Sequence, residues 1–287
     1  MPGLVTRLEA GMERAREHLV LTAVPIVIAL LNTNKILTVV GFDGGHIGFK
    51  FGFPLSVITV WQFVSVPNSG VTVNTGLPIE MLPVAVVTVP VLIGLQALLQ
   101  AGYFGSLKNA LLGEPYDFVQ QCRQYFGPFL IVTAVPYLAL LPLAFGIFGV
   151  GSLTESVGGA ALLFVLPAMV LYLGAAYLFY PTPYLIVLRG NGLIDAARQS
   201  YALAVQGGPY VTYTIGFALF VFGVSPFATG FVVNVPVLGL PVGILAGSVL
   251  GLGANFTTMR FVADIDPAAS ETVSWDTEST DGAQTSV

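Results

Sequence analysis

Charged side chains are scarce in this sequence. Lysine, arginine, aspartate and glutamate make up 9% of the 287 residues, whereas an ordinary soluble domain carries roughly 25%. Hydrophobic residues make up 55%, so too few polar side chains remain to cover a water-soluble globule of this size. We therefore expect hydrocarbon, not water, to surround most of the polypeptide, which excludes an ordinary soluble protein.

Cysteine is nearly absent, and so are the motifs of common enzymes. The single cysteine, Cys122, excludes an intramolecular disulfide. The sequence has no HExxH, CxxC, GxSxG or Walker-type GxxxxGKS/T pattern. Asp43 and His46 offer only two metal ligands, on a glycine-rich stretch that is better interpreted as a turn. We predict no catalytic residue, no cofactor, no metal site and no enzymatic activity.

Carboxylates are missing from the interior of every long apolar segment. Acidic residues concentrate instead at the carboxyl terminus: Asp264, Asp266, Glu271, Asp276, Glu278 and Asp281. Proton-coupled carriers usually need an intramembrane carboxylate or histidine, so such a mechanism is disfavoured. The chain before this tail is close to neutral and has no basic patch for nucleic acid. The acidic tail and the scarcity of lysine suggest a halophilic, archaeal source, the alternative being a merely solvated tail.

Six apolar segments have the length of a transmembrane helix, about 20 residues. They are Leu19–Val40, Met81–Leu107, Pro128–Val150, Val157–Tyr180, Tyr210–Val233 and Pro236–Met259. The first carries Asn32–Lys35 in its second half; we expect a full span with Lys35 reaching the outer headgroups, the alternative being a helix that ends near Leu31. The predicted fold is all-α, a polytopic bundle with six transmembrane helices over residues 19–260.

Basic residues predict how the bundle sits in the membrane. Eight of them fall on one side of the six-helix arrangement: Arg7, Arg14, Arg16, Lys108, Arg123, Arg189, Arg198 and Arg260. Only Lys35 and Lys50 fall on the other side. Cytoplasmic loops carry the excess of lysine and arginine, so we expect a plasma-membrane protein with both termini in the cytoplasm.

Three segments have the apolar spacing of short amphipathic helices that lie in the headgroup plane. Their stripes are Leu4, Leu8, Met12, Ala15 and Leu19, then Leu107, Leu111, Phe118, Cys122 and Phe126, then Ile194, Ala197, Tyr201 and Val205. The first is the N-terminal cytoplasmic helix, residues 1–18. One such helix followed by two spans recurs three times, and LVLTAVPIVIALL resembles LIVTAVPYLALL. We interpret this as an internal repeat, with chance similarity as the alternative.

Two further segments lie outside the spans. The extracytoplasmic segment 41–80 contains Leu55–Val66, a PNSG turn and Val71–Thr75, which together predict a small β-hairpin. Residues 261–287 are acidic and poor in aromatic residues, which predicts a disordered cytoplasmic tail.

Small and amide residues mark the candidate contacts between helices. Gly239, Gly243, Gly247 and Gly251 recur every four residues and predict a face for close helix packing, with a substrate path as the alternative. The amides of Gln96, Gln100 and Asn255 lie at similar predicted depths and are expected to form a polar intramembrane cluster. Interhelical hydrogen bonding is the first interpretation, and a polar binding pocket is the second.

Two motifs carry a family resemblance. They are GYFGSL at Gly102–Leu107 and LRGNGLIDAARQSYAL at Leu188–Leu203. With their flanking spans, over roughly residues 81–260, they resemble prokaryotic six-span proteins similar to the membrane domain attached to some glycerophosphoryl diester phosphodiesterases. The catalytic domain of that family has no counterpart in this chain. The resemblance therefore implies a membrane-domain architecture and no active-site residues.

Two functions remain open. The first is a non-enzymatic membrane module that organises or assembles partners, which would be the lipid bilayer, other membrane proteins or further copies of itself. The second is a transporter or permease for a small solute or lipid, which proline-rich spans and internal repetition favour. A polar cavity reaching Gln96 and Asn255 would favour transport, and a filled core would favour the organising role.

Overall fold

The computed structural model describes residues 3–67, 82–151, 160–190 and 192–270. Regular structure in these ranges is entirely helical, and a short 3-10 turn at Leu19–Thr22 joins the first two helices. The helices are α1 (Leu4–Glu17), α2 (Ala23–Leu31), α3 (Thr33–Val40), α4 (Val60–Phe63), α5 (Leu82–Leu111), α6 (Phe118–Gly151), α7 (Ala160–Phe179), α8 (Thr182–Arg189), α9 (Leu193–Gln206), α10 (Pro209–Asn234), α11 (Gly239–Ile265) and α12 (Pro267–Ser270).

Four stretches of helix in the described ranges are long and apolar enough to cross a membrane. They are Val87–Leu111, Met169–Arg189, Pro209–Asn234 and Gly239–Ile265. Helices α2 and α3 form a fifth candidate if the bent pair is counted as one span. Over the residues that the structure describes, the chain is therefore an all-helical membrane protein with four to five candidate spans. The predicted span Pro128–Val150 lies within α6, which is not among these candidates.

The first predicted span is broken. Helices α2 and α3 meet at a bend of 70°, and Asn32 between them has a non-helical ψ of 57°. The Asn32 side chain donates a hydrogen bond to the Ile28 carbonyl at 2.8 Å. A side chain bonded to its own helix in this way competes with the backbone ladder. The helix therefore ends at Leu31, which was the alternative to an unbroken span.

Helix α11 lies at the centre of the bundle. It packs against α1, α2, α4, α5, α8, α10 and α12. Of its most apolar window, 61% is buried inside the protein, compared with 28% for α10. The chain elements that carry candidate functional residues are therefore arranged around α11.

The predicted amphipathic helix at the N-terminus is present as α1 and packs on α11. Arg7, Gly11 and Ala15 form the buried face of α1. A Cβ atom added at Gly11 would lie 2.5 Å from the Gly253 carbonyl oxygen, so the two backbones cross in close contact. The predicted stripe borders this face but missed Arg7 and Gly11, because neither residue is apolar enough to mark it.

The second predicted amphipathic segment differs from expectation, and the third forms a helix as expected. The second is not a separate helix: α5 runs on to Leu111, a turn through Gly113 with φ of 69° follows, and α6 begins at Phe118. The third is α9, which buries Ala196, Ser200, Leu203 and Ala204. Its predicted apolar members Ile194, Tyr201 and Val205 are exposed, so that stripe faces away from the protein.

The predicted β-hairpin and tail are corrected in part. Leu55–Val66 contains the helical turn α4 and no strand, because its backbone bonds to side chains of other helices. The second predicted strand, Val71–Thr75, lies outside the described residues. Residues 261–265 and 267–270 are helical, since α11 continues to Ile265 and α12 follows Asp266. Phe261, Val262 and Ala263 are buried, which ties the start of the predicted tail to the bundle. Residues 271–287 lie outside the described residues.

Candidate functional site

An irregular stretch of chain enters the bundle beside α10. We call residues 42–67 the inserted segment. Its first limb starts where α10 ends: the His46 amide donates to the Asn234 side chain at 2.7 Å, and Asn234 donates back to the His46 carbonyl at 2.8 Å. Ser225 then donates to the Gly48 carbonyl at 3.2 Å, and Phe51 stacks on Phe222. The limb thus follows α10 for twelve residues, about 18 Å at 1.5 Å per residue.

The tip of the inserted segment is held by Asn255 of α11. The Ile58 amide donates to Asn255 Oδ1 at 2.9 Å, and Asn255 Nδ2 donates to the Ser56 carbonyl at 3.1 Å. Asn255 lies sixteen residues beyond Gly239, about 24 Å along the helix. The segment therefore reaches past the middle of α11 from the end where that helix begins.

The second limb returns toward its starting level. Trp61 is buried and donates from Nε1 to the Ala29 carbonyl at 2.8 Å. The Ser65 amide donates to Thr229 Oγ1 of α10 at 2.9 Å. Val57, Ile58, Val60, Phe63 and Val64 are each buried to at least nine-tenths. Irregular backbone at membrane depth is tolerated where protein buries it, and this limb meets that condition.

The four glycines at four-residue spacing make the room for these contacts. A Cβ atom at Gly239 would lie 2.5 Å from the Phe231 carbonyl oxygen, and one at Gly243 would overlap the Val232 side chain, both in α10. At Gly247 it would lie 2.6 Å from Val60 Cβ, and at Gly251 it would overlap the Ile58 carbonyl oxygen. The glycine face therefore packs against α10 at one end and against the inserted segment at the other.

Asn255 uses its complete hydrogen-bonding capacity within the protein. Besides the Ile58 and Ser56 backbone, it accepts from the Tyr103 hydroxyl at 3.2 Å and donates to Tyr184 at 2.8 Å. A side-chain amide offers two donors and an acceptor oxygen with two lone pairs, and all four are occupied. Asn255, Tyr103 and Tyr184 are all 0% exposed. This network ties α5, α8 and α11 to the tip of the inserted segment.

The predicted amide cluster is not joined by hydrogen bonds. Gln100 is buried and donates to Thr133 of α6 at 3.3 Å, and Asn255 bonds to the set just described. Gln96 is half-buried one turn before Gln100. The tyrosine partners of Asn255 come from helices distant in sequence, so no local spacing in the chain pointed to them.

Two ion pairs close the end of the bundle where α11 finishes. Arg7 of α1 contacts Asp264 at 2.5 Å. Arg189 at the end of α8 binds Asp266 through two nitrogens, with Nε 2.6 Å from Oδ2. Asp266 is completely buried. Sequence reasoning missed both carboxylates because it assigned them to a disordered tail.

His18 stands beside this end of the bundle. It follows α1, and its ring lies near those of Tyr116 and Phe256. Burial lowers the pKa of His18 below its ordinary value, and the charge of Arg14 lowers it further, whereas Glu17 acts in the opposite direction. The neutral imidazole is therefore the form that the folded protein favours.

The described residues place few reactive groups together. In the ranges that the structure covers, no three histidine, cysteine, aspartate or glutamate side chains are grouped to hold a metal ion. The Asn255 network consists of neutral hydroxyl and amide groups whose hydrogen bonds hold four chain segments together. These hydrogen bonds fix the inserted segment on α11.

Comparisons with protein-family models, with curated proteins and with solved structures find no match to this chain. The resemblance based on Gly102–Leu107 and Leu188–Leu203 therefore stays a prediction. In the structure, the first motif serves the packing of α5 on α6, since a Cβ atom at Gly102 would lie 2.5 Å from the Phe118 ring.

Proposed function

We propose that the protein is a non-enzymatic membrane module that organises or assembles partner chains in the plasma membrane. The observation that supports this most directly is the first limb of the inserted segment. Ile47, Phe49 and Phe51 alternate with inward residues and are 71%, 58% and 66% exposed. Among the described residues, no hydrogen-bond partner is found for the backbone N–H groups of residues 47–52.

The position of this limb favours a segment of a partner chain as the group that covers its exposed side. It lies beside α10 between the levels of Asn234 and Phe222, within the length of a candidate span. Lipid tails can cover the phenylalanine rings but cannot bond to N–H groups, and each unsatisfied group in hydrocarbon costs several kcal/mol. An extended segment of another chain satisfies both requirements, because extended backbone pairs with an exposed edge.

The core of the bundle also supports an organising role. Asn255 is enclosed and fully bonded, Gln100 is bonded to Thr133, and Phe104 stacks on Phe129 beside Tyr184. These groups fill the region where a solute path through the amide residues would run. A filled core was the expectation for an organising module.

The orientation in the membrane is part of the proposal. Arg7 and Arg189 lie at the end where α11 finishes, whereas Lys35 and Lys50 both contact Trp61. With the arginine end in the cytoplasm, the inserted segment enters from the outer face. We also propose that α6 is a sixth span. The orientation and the sixth span are both tested by placing a single cysteine at Arg198 or at Phe42 and labelling it with a membrane-impermeant maleimide. The cysteine at Phe42 should react in intact cells, and the cysteine at Arg198 only after lysis.

The experiment for the organising role measures the size of the assembly in native nanodiscs extracted without detergent. We expect the 30.2 kDa chain to run as part of a larger complex. Phe49→Ser with Phe51→Ser should release it as a monomer, because the exposed row loses its apolar contact. The matched control is Leu219→Ser with Phe227→Ser, two exposed residues of α10, which should leave the complex intact. A monomeric wild-type chain would contradict the proposal.

A transporter or permease is the second candidate, and the broken helix favours it. Helices interrupted at membrane depth and irregular backbone beside them are typical of transporter binding sites. The bend at Asn32 and the inserted segment have this form. Flux of small solutes into proteoliposomes that contain the purified chain distinguishes the two: saturable uptake supports transport, and uptake equal to that of empty vesicles supports the organising role.

A further inference from the structure

A cavity of about 80 Å³ lies where α1 crosses α11. Every charged side chain that lines it is an arginine: Arg7 and Arg14 from α1, and Arg260 from α11. The other lining residues are Ala10, Gly11 and Thr257 and the apolar residues Leu111 and Phe256. The cavity thus combines cationic and apolar residues. It includes no residue of the inserted segment, and the inference drawn from it does not depend on the organising role.

The crossing of the two helices explains how the arginines converge. Arg7 and Arg14 are seven residues apart, which places them on one face of α1 two turns from each other. Gly11 lies between them and brings the α1 backbone within contact of Gly253 and Thr257. Arg260 follows Thr257 by three residues and thus lies on the adjoining turn of α11. The cavity is therefore bordered by arginines from both helices.

Among the arginines that line the cavity, Arg14 has an ion pair that an anion can replace. Arg7 is buried and fixed by Asp264 at 2.5 Å. Arg14 pairs with Glu17 at 2.8 Å, but both side chains are exposed, 40% and 53%. An exposed pair of this kind is worth little, so Arg14 can exchange Glu17 for an anion in the cavity. No lining residue carries a negative charge.

We propose that this cavity binds a phosphate group. The guanidinium fork matches the geometry of phosphate oxygens and binds them through two parallel hydrogen bonds. The cavity of about 80 Å³ is several times the roughly 10–15 Å³ that one water needs, so it has room for a small anion. The group is carried either by an anionic phospholipid, whose acyl chains would pass Leu111 and Phe256, or by free inorganic phosphate. Both sources share the recognising chemistry.

The experiment is a thermal unfolding titration of the purified full chain in a neutral detergent. One arm adds a short-chain phosphatidylglycerol, a second adds the matching phosphatidylcholine, and a third adds inorganic phosphate. We expect phosphatidylglycerol or phosphate to raise the unfolding midpoint in a saturable way. Arg14→Gln and Arg260→Gln should each weaken the apparent affinity about tenfold, which corresponds to about 1.4 kcal/mol.

Controls separate binding from folding. Arg198→Gln removes an exposed arginine of α9 that is outside the cavity and should titrate like the wild type. Arg14→Lys keeps the charge without the fork and should titrate between the wild type and Arg14→Gln, which a mere loss of folding would not produce. A response to phosphatidylglycerol alone identifies a lipid headgroup, and an equal response to inorganic phosphate identifies the free anion. An absent response in all arms, or equal titrations of all variants, would overturn the proposal.

Discussion

Helices α10 and α11 are neighbours of nearly equal length, and α10 is the more hydrophobic of the two. Nevertheless α11 is the more buried, with 61% of its apolar window inside the protein compared with 28% for α10. Hydropathy therefore does not decide which helix occupies the centre of this bundle. Lipid tails are as apolar as leucine, so burying further leucine gains little in a membrane.

Small and polar residues account for the difference. Gly247 and Gly251 allow the inserted segment to lie against the α11 backbone, and Asn255 then bonds to that segment. Helix α10 instead presents Leu219 and Phe227 to its surroundings. The comparison shows that close approach and hydrogen bonding decide which helix lies at the centre. Four predictions follow, from the largest expected effect to the smallest.

The end of α11 should be the most sensitive position. Asp266→Ala leaves the Arg189 guanidinium without its buried carboxylate, and breaking a buried pair costs about 3–5 kcal/mol. We expect the largest fall in the thermal midpoint in detergent for this variant. Asp195→Ala breaks an exposed pair with Arg198 at 4.0 Å and should change stability by less than about 0.5 kcal/mol. Equal effects of the two would show that the buried pair is not a fixed contact.

The Asn255 network should rank second. Asn255→Leu leaves the Ile58 amide and the Tyr103 hydroxyl without their acceptor, at about 1–3 kcal/mol for each unsatisfied group. We expect a clear loss of thermal stability and faster amide exchange at Ile58. Thr212→Val on the exposed side of α10 removes only a bond to the Gly208 carbonyl and serves as the control. Unchanged exchange at Ile58 would argue against the contact.

The glycine face should give effects of opposite sign on the two helices. Gly251→Ala places a methyl group against the Ile58 carbonyl, and overpacking of this kind costs about 1–3 kcal/mol. Gly223 and Gly230 of α10 have open space around them, so alanine there should be neutral or stabilising by up to about 1 kcal/mol. Destabilisation by the same amount at all three positions would remove the distinction between the helices. Gly243→Leu and Gly247→Leu should also destabilise the protein.

The smallest expected effect is a pH dependence at His18. Its pKa is lowered in the folded protein, chiefly by burial, so the unfolded chain binds more protons than the folded one as the pH falls past about 6.5. Stability should therefore be complete above this pH and decrease below it. The midpoint difference between pH 8 and pH 5 should be smaller in His18→Asn than in the wild type. An identical difference would show that another group causes the dependence.

Part of this arrangement was predictable from the sequence. The bounds of α10 and the start of α11 follow from continuous apolar runs, although α11 continues to Ile265, past the predicted end at Met259. The spacing of Gly239 and Gly243 indicates close packing because only helices of small residues can approach so closely. The inserted segment was not predictable, since its β-branched and aromatic residues also fit a hairpin. Asp264 and Asp266 were assigned to a tail because their arginine partners are distant in the chain.

The central claim is that the inserted segment lies on the glycine face of α11, and a disulfide test measures this contact directly. In a Cys122→Ser background, Val60→Cys with Gly247→Cys should form a disulfide on mild oxidation in intact membranes, because the two Cβ positions are in contact. Val60→Cys with Gly223→Cys, on the open face of α10, should remain reduced. A reduced Val60–Gly247 pair, or equal cross-linking of both pairs, would contradict the account.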